Sequence, residues 1–90
     1  MTIEHDEAGR KFVVRLEGGS GHLDYELLPD GVVEFHHTWV DPPIRNRCTA
    51  AELVRAGAAW ARAAGLRVEP SCPYVRSWFG QHPEERDLLA

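Results

Sequence analysis

The chain has 90 residues, 43% of them hydrophobic and 27% charged, with a formal net charge of −4. That balance fits a globular domain and lacks the gathered basic surface of a nucleic-acid binder. No apolar run approaches the ~18 residues needed to cross a bilayer, so neither nucleic acid nor membrane is an expected partner. At this length a single domain over residues 1–90 is expected, with a ligand lying across it or in a split rather than in a deep cavity.

The opening "MTIEHDEAGR" is acidic and has no apolar segment, so no targeting signal is expected and the location expected is cytoplasmic. Residues 3–5 suit a short strand. "KFVVRLE" (11–17) is β-branched and aromatic and reads as a second strand. "GGSG" (18–21) reads as a flexible connection. "HLDYELL" (22–28) alternates, with Leu23, Tyr25 and Leu27 on one face. "PDG" (29–31) has hairpin turn chemistry, and "VVEFHHTWV" (32–40) is the next strand. Asp41-Pro42-Pro43 ends it, since proline cannot donate to a ladder.

A helix is expected from about Thr49 to Ala64. Thr49 or Cys48 would lie at its start, and Glu52 is spaced from Thr49 for a capping box. Leu53, Gly57, Trp60, Ala61 and Ala64 share one helical face, and Gly65 suits the position just past the end. "LRVEP" (66–70) reads as a short buried strand, 74–81 as a second helix, and "EERDLLA" as one helical turn docking Leu88 and Leu89. The order β-β-β-β-α-β-α predicts an α+β fold: a mixed, mostly antiparallel sheet with a β-α-β crossover and two helices. The crossover strands should be parallel, with the site at the C-terminal end of strand 32–40.

Three stretches carry candidate chemistry. In "RNRCTA" (45–50) two arginines stand at a helix mouth, where unpaired N–H groups attract anions. The readings are a pyrophosphate site or two solvated arginines before a capped helix. In "FHHTW" strict alternation puts His37 with Val33 and Phe35, and Glu34, His36 and Thr38 on the other face. The adjacent histidines lack metal-site spacing, and Cys48 and Cys72 form no CxxC motif, so no metal is expected. In "EPSCPYV" Cys72 lies between a strand and a helix. It is either activated by a helix N-terminus or a buried, inert thiol.

Taken together, His37-Thr38-Trp39-Val40, Arg45 to Ala50, Trp60-Ala61, Gly65-Leu66, Pro70-Ser71-Cys72-Pro73-Tyr74-Val75 and His82-Pro83-Glu84 resemble the short, single-domain GNAT-like N-acetyltransferases in order and spacing. The resemblance covers nearly the whole chain. It implies a reduced GNAT-like fold using acetyl-CoA as cosubstrate and an amine acceptor, a protein lysine or a small amine, in a monomer or weak dimer. It places the cofactor on Val40, Arg45, Asn46, Arg47, Cys48, Thr49, Ala50, Ala51, Cys72 and Tyr74. The pyrophosphate would sit on the amides of Arg47 to Ala51. Two departures stand out. The family's two turn glycines are Asn46 and Cys48 here, and Trp39 replaces a smaller, tyrosine or acidic residue.

The expected function is transfer of acetyl from acetyl-CoA to an amine, with His37 as base, since imidazole titrates near ~6.5 in model peptides. Cys72 would either protonate the leaving thiolate or take the acetyl group itself; direct transfer is preferred. The alternative is a non-catalytic CoA- or acyl-CoA-binding domain, or a protein-interaction domain, on the same fold.

Overall fold

The computed structural model describes Met1–Ala90. One sheet holds five strands whose spatial order follows the chain. β1 (Ile3–Asp6), β2 (Lys11–Leu16), β3 (Gly19–Leu28) and β4 (Val32–Val40) pair antiparallel in succession. A 3-10 segment (Pro42–Arg47) and helix α1 (Thr49–Ala63) then lead to β5 (Arg67–Glu69), which joins β4 in parallel. Helix α2 (Pro73–Gln81) and a second 3-10 segment (Pro83–Leu88) close the chain. The α+β arrangement, the crossover and the two helices are as expected.

The core forms where α1 crosses the sheet. Phe12, Val14, Leu23, Tyr25, Val33 and Phe35 meet Leu53, Val54, Ala58 and Ala61, and α2 adds Val75, Trp78 and Phe79 to the same cluster. Each fully buried apolar side chain contributes about 1.5–3 kcal/mol. Gly57 sets the closeness of approach: a Cβ there would stand 2.9 Å from Leu23 Cδ2 and 3.0 Å from Phe35 Cζ. The buried helical face is rotated from the expected one. It takes in Val54 and Ala58 and leaves Ala64 exposed, while Trp60 is half-buried against His5, Phe12 and Tyr25. Both helices belong to one core, so no helix covers the opposite face of the sheet, although Val13 is buried there between its cross-strand neighbours. Glu4, Arg15, Glu26, His37 and Trp39 are exposed there.

α1 ends as its sequence predicts. Gly65 has φ +72°, its N–H donates to Arg62 O at 3.2 Å, and Leu66 N–H donates to Ala61 O at 2.8 Å. This is a Schellman closure. The tail docks too: Leu88 is buried, Leu89 bridges to Val68, and Ala90 N–H donates to Val68 O at 2.8 Å.

One expectation fails here. "GGSG" is no flexible linker. Gly19, Ser20 and Gly21 pair with Leu16, Arg15 and Val14, so the connection shrinks to a two-residue turn at Glu17-Gly18. Asp41 secures the added strand, since Ser20 N–H donates to its Oδ2 at 2.8 Å and Asp41 N–H donates to Ser20 O at 2.9 Å. Leu27 shares the face of Leu23 and Tyr25 as expected, opposite the buried Val33, yet it is itself 51% exposed.

Candidate functional site

β4 and β5 separate soon after they meet. They pair only through Val32↔Arg67, Val33↔Val68 and Glu34↔Glu69. Phe35 O then accepts from Cys72 N–H at 3.1 Å, where the chain has already turned towards α2. From His36 onward no strand pairs with that edge of β4. The wedge holds a cleft of about 310 Å³ lined by Thr38, Trp39, Val40, Arg45, Ala50 and Tyr74.

A β-bulge aims the side chains. β3 and β4 pair Asp24↔His37 and Tyr25↔Phe35, leaving His36 as the extra residue. An extra residue reverses the alternation beyond it. Thr38, opposite Leu23, therefore joins the helix-covered face. Its hydroxyl lies 3.5 Å from Cys72 Sγ. His37 goes to the open face with Asp24. This corrects the strict alternation, which grouped His37 with Phe35 and Thr38 with Glu34. Both His36 and His37 are exposed.

The turn before α1 also departs from expectation. Cys48 is the N-cap, and no side chain caps the helix. Thr49 is fully buried at the first helical position and its hydroxyl donates back to Ile44 O at 3.3 Å, so there is no Thr49–Glu52 capping box. Consequently the first N–H groups of α1, at Thr49, Ala50 and Ala51, have no intrahelical or capping partner. Cys48 has φ +57° and ψ +25°, the left-handed conformation that glycine adopts freely. Asn46, at the other glycine position, is not among the positive-φ residues.

The two arginines part company. Arg45 stays at the cleft. Its Nε donates to Val40 O at 2.8 Å and its guanidinium carbon lies 4.8 Å from the Trp39 ring centroid, with no hydrogen bond from its terminal nitrogens. Trp39 is itself held, donating from Nε1 to Asp41 Oδ1 at 2.9 Å. Trp39 and the Ser20 N–H together keep the Asp41 carboxyl below the usual carboxylate range, the Ser20 contribution being the larger. Arg47 turns away, donating from Nη1 to Glu17 O at 3.1 Å. Its side chain does not reach the cleft.

Cys72 is 6% exposed, and both cysteines are free. Burial alone would push its thiol up. The Thr38 hydroxyl and the N–H groups of Val75, Tyr74 and Thr38 outweigh that and hold it below the ordinary thiol value. Two of those donors come from the first turn of α2, which Pro73 opens. Tyr74 is pushed up, chiefly by burial and secondarily by the nearby Cys48.

The profile of the GCN5-related N-acetyltransferases matches residues 11–88, most of the chain. The chain belongs to the GCN5-related N-acetyltransferase family. Among curated relatives, protein NATD1 of Bos taurus is 31% identical over 92% of this chain and 75% of its own length. NATD1 of Homo sapiens is 30% identical over 92% and 75%. NATD1 of Danio rerio is 28% identical over 98% and 82%. The solution structure of a GCN5-like protein from Staphylococcus aureus superposes with a TM-score of 0.76 at 17% identity, covering 99% of this chain and 87% of that one.

Within this GCN5-related fold, the cleft brings together four of the residues singled out from sequence: Val40, Arg45, Ala50 and Tyr74. Cys72 adjoins it through Thr38. Sequence reasoning missed Thr38 and Trp39 as lining residues, because their direction depends on the bulge. It also missed Asp41, whose link to Ser20 required "GGSG" to be a strand.

Proposed function

We propose that this protein is an N-acetyltransferase moving acetyl from acetyl-CoA to an amine. The observation that carries the reading is the wedge between β4 and β5, with the Cys72 thiol hydrogen-bonded to Thr38 beside it and an uncapped helix N-terminus at its mouth. Acetyl-CoA suits these groups. The N-terminal amides of α1 and the unengaged Arg45 nitrogens would hold its pyrophosphate. The unpaired edge of β4 would bind the amides of its pantetheine arm.

In the transfer the amine nitrogen attacks the thioester carbonyl, the C–S bond breaks and the thiolate leaves. An unpaired N–H of β4 would stabilise the oxyanion. His37 takes a proton from the amine, and Cys72 would protonate the thiolate. Direct transfer needs no acetyl-cysteine step.

A second reading, a CoA- or acyl-CoA-binding domain without turnover, draws support from Arg47 turning away and from a side chain at Cys48 where the family has glycine. Calorimetric titration with acetyl-CoA and CoA, followed by an acetylation assay, separates the two. Tight binding without turnover on a broad amine panel favours the second. No binding at millimolar concentration removes both.

A further inference from the structure

We propose that Asp24, on the open face of the sheet beside His37, binds the ammonium group of the acceptor, with His22 as the positioning residue for Asp24. The inference rests on the transferase reading and adds to it the residue that holds the acceptor and the side from which it enters.

His37 and Thr38 are consecutive on β4 and face opposite sides beyond the bulge. The strand that shows Thr38 to the cleft therefore shows His37 to the open face at the same level. Asp24 is directly opposite His37 on β3. Such cross-strand neighbours stand ~4.5–5.5 Å apart at Cβ, within reach of one shared ligand atom.

His22 Nδ1 lies 2.8 Å from Asp24 Oδ1, which fixes the carboxylate. Its second oxygen, Oδ2, has no hydrogen-bond partner, and neither ring nitrogen of His37 has one. The His22 and His37 rings are 5.8 Å apart between centroids. Asp24 also pairs with Lys11 on β2, yet the two make no ion pair, so the carboxylate is not neutralised from that side.

The cluster therefore offers one unused carboxylate oxygen and one unused imidazole to a single visitor. A primary ammonium meets both demands, giving one N–H to the carboxylate and another to the imidazole. Of the two clefts on the molecule, the wedge reaches this face only at Trp39 and the other lies among α1, α2 and Glu85; neither is lined by His22, Asp24 or His37. The acceptor nitrogen is thus brought in on a protruding stem rather than enclosed as a small metabolite.

The protons balance. An ammonium loses two on becoming an amide: His37 takes one before attack and releases it to solvent, and the other ends on the CoA thiol. Asp24 only binds and orients.

The test compares Nα-acetyl-lysine amide, charged at neutral pH, with an arylamine that is neutral there. In Asp24→Asn the KM for the lysine compound should rise about tenfold or more, the loss expected for a hydrogen bond between charged groups. The arylamine KM and acetyl-CoA affinity should stay unchanged, and Asp24→Glu should recover part of the loss. An equal effect on both acceptors, or none, overturns the inference. A second readout needs no turnover: NMR of the imidazole signals of His22 and His37, with CoA present, during titration with Nα-acetyl-lysine amide. Both should shift in the natural protein and not in Asp24→Asn; absence of shifts in the natural protein overturns the inference. Absent acetyl-CoA binding would sink the transferase reading, while the imidazole titration would still decide whether this face binds an ammonium.

Discussion

Replacing Cys48 by glycine is expected to stabilise the protein, and replacing Asn46 by glycine to destabilise it, although both changes restore the family's turn. Cys48 has φ +57°, and a side chain in that region costs roughly 1–2 kcal/mol. Glycine removes that cost but adds unfolded-state freedom of roughly 0.5–1 kcal/mol. Cys48 is exposed, so little packing is lost with its side chain. The net gain is about 0.5–1 kcal/mol, or a rise of about 2–8 °C in Tm for a domain of this size. Asn46 lacks a positive φ, so glycine there brings only the entropic loss of roughly 0.5–1 kcal/mol. Thermal unfolding followed by circular dichroism measures both. Calorimetry with acetyl-CoA should show Cys48→Gly binding more tightly, because the side chain no longer crowds the α1 amides. A Cys48→Gly protein that melts at or below the natural one would refute the argument from backbone conformation.

Gly57→Ala should destabilise by about 1 kcal/mol in urea: overpacking against Leu23 and Phe35 costs ~1–3 kcal/mol and exceeds the helix-propensity gain of ~1. A stabilised variant would mean that those side chains yield. Thr38→Val keeps the shape but removes the hydroxyl beside Cys72, so the thiol value should rise and iodoacetamide alkylation of Cys72 near neutral pH, followed on its own peptide apart from the exposed Cys48, should slow severalfold; an unchanged rate at Cys72 sinks the idea. Asp41 has a folded value below its unfolded one. Its contribution is therefore present above about pH 4 and lost as pH falls through the folded value. The stability gap between the natural protein and Asp41→Asn should hold steady from about pH 7 to 5 and shrink below about pH 4, and a gap that widens on acidification contradicts the sign.

The fold was legible where local chemistry decides it. "KFVVRLE" forms the expected strand, one residue shorter at Glu17, and the Asp41-Pro42-Pro43 stop and Gly65 end their elements through their own backbone preferences, while the second helix begins at Pro73, one residue before the expected start. The site was legible as a set of residues but not as a geometry. Nothing in "FHHTW" announces that His36 is the extra residue, because a bulge exists only relative to its partner strand. That single insertion decides which of His37 and Thr38 faces the cleft. Thr49 is a good cap by type, yet the preceding 3-10 segment draws it inside. His22 and Asp24 carried no signal as a pair until register set them beside His37.

The order of strands in the sheet has a consequence for how the chain assembles. Because spatial order follows chain order, each antiparallel pair closes through a short turn, and such closures are entropically cheap. Only the β4–β5 seam must close over the whole of α1, and it does so with three paired residues. The sheet is therefore sewn most loosely along the seam that borders the cleft. A ligand gripping both sides of the wedge would act as its missing stitch, and amide exchange around Val68 and Cys72 should slow first when acetyl-CoA is added.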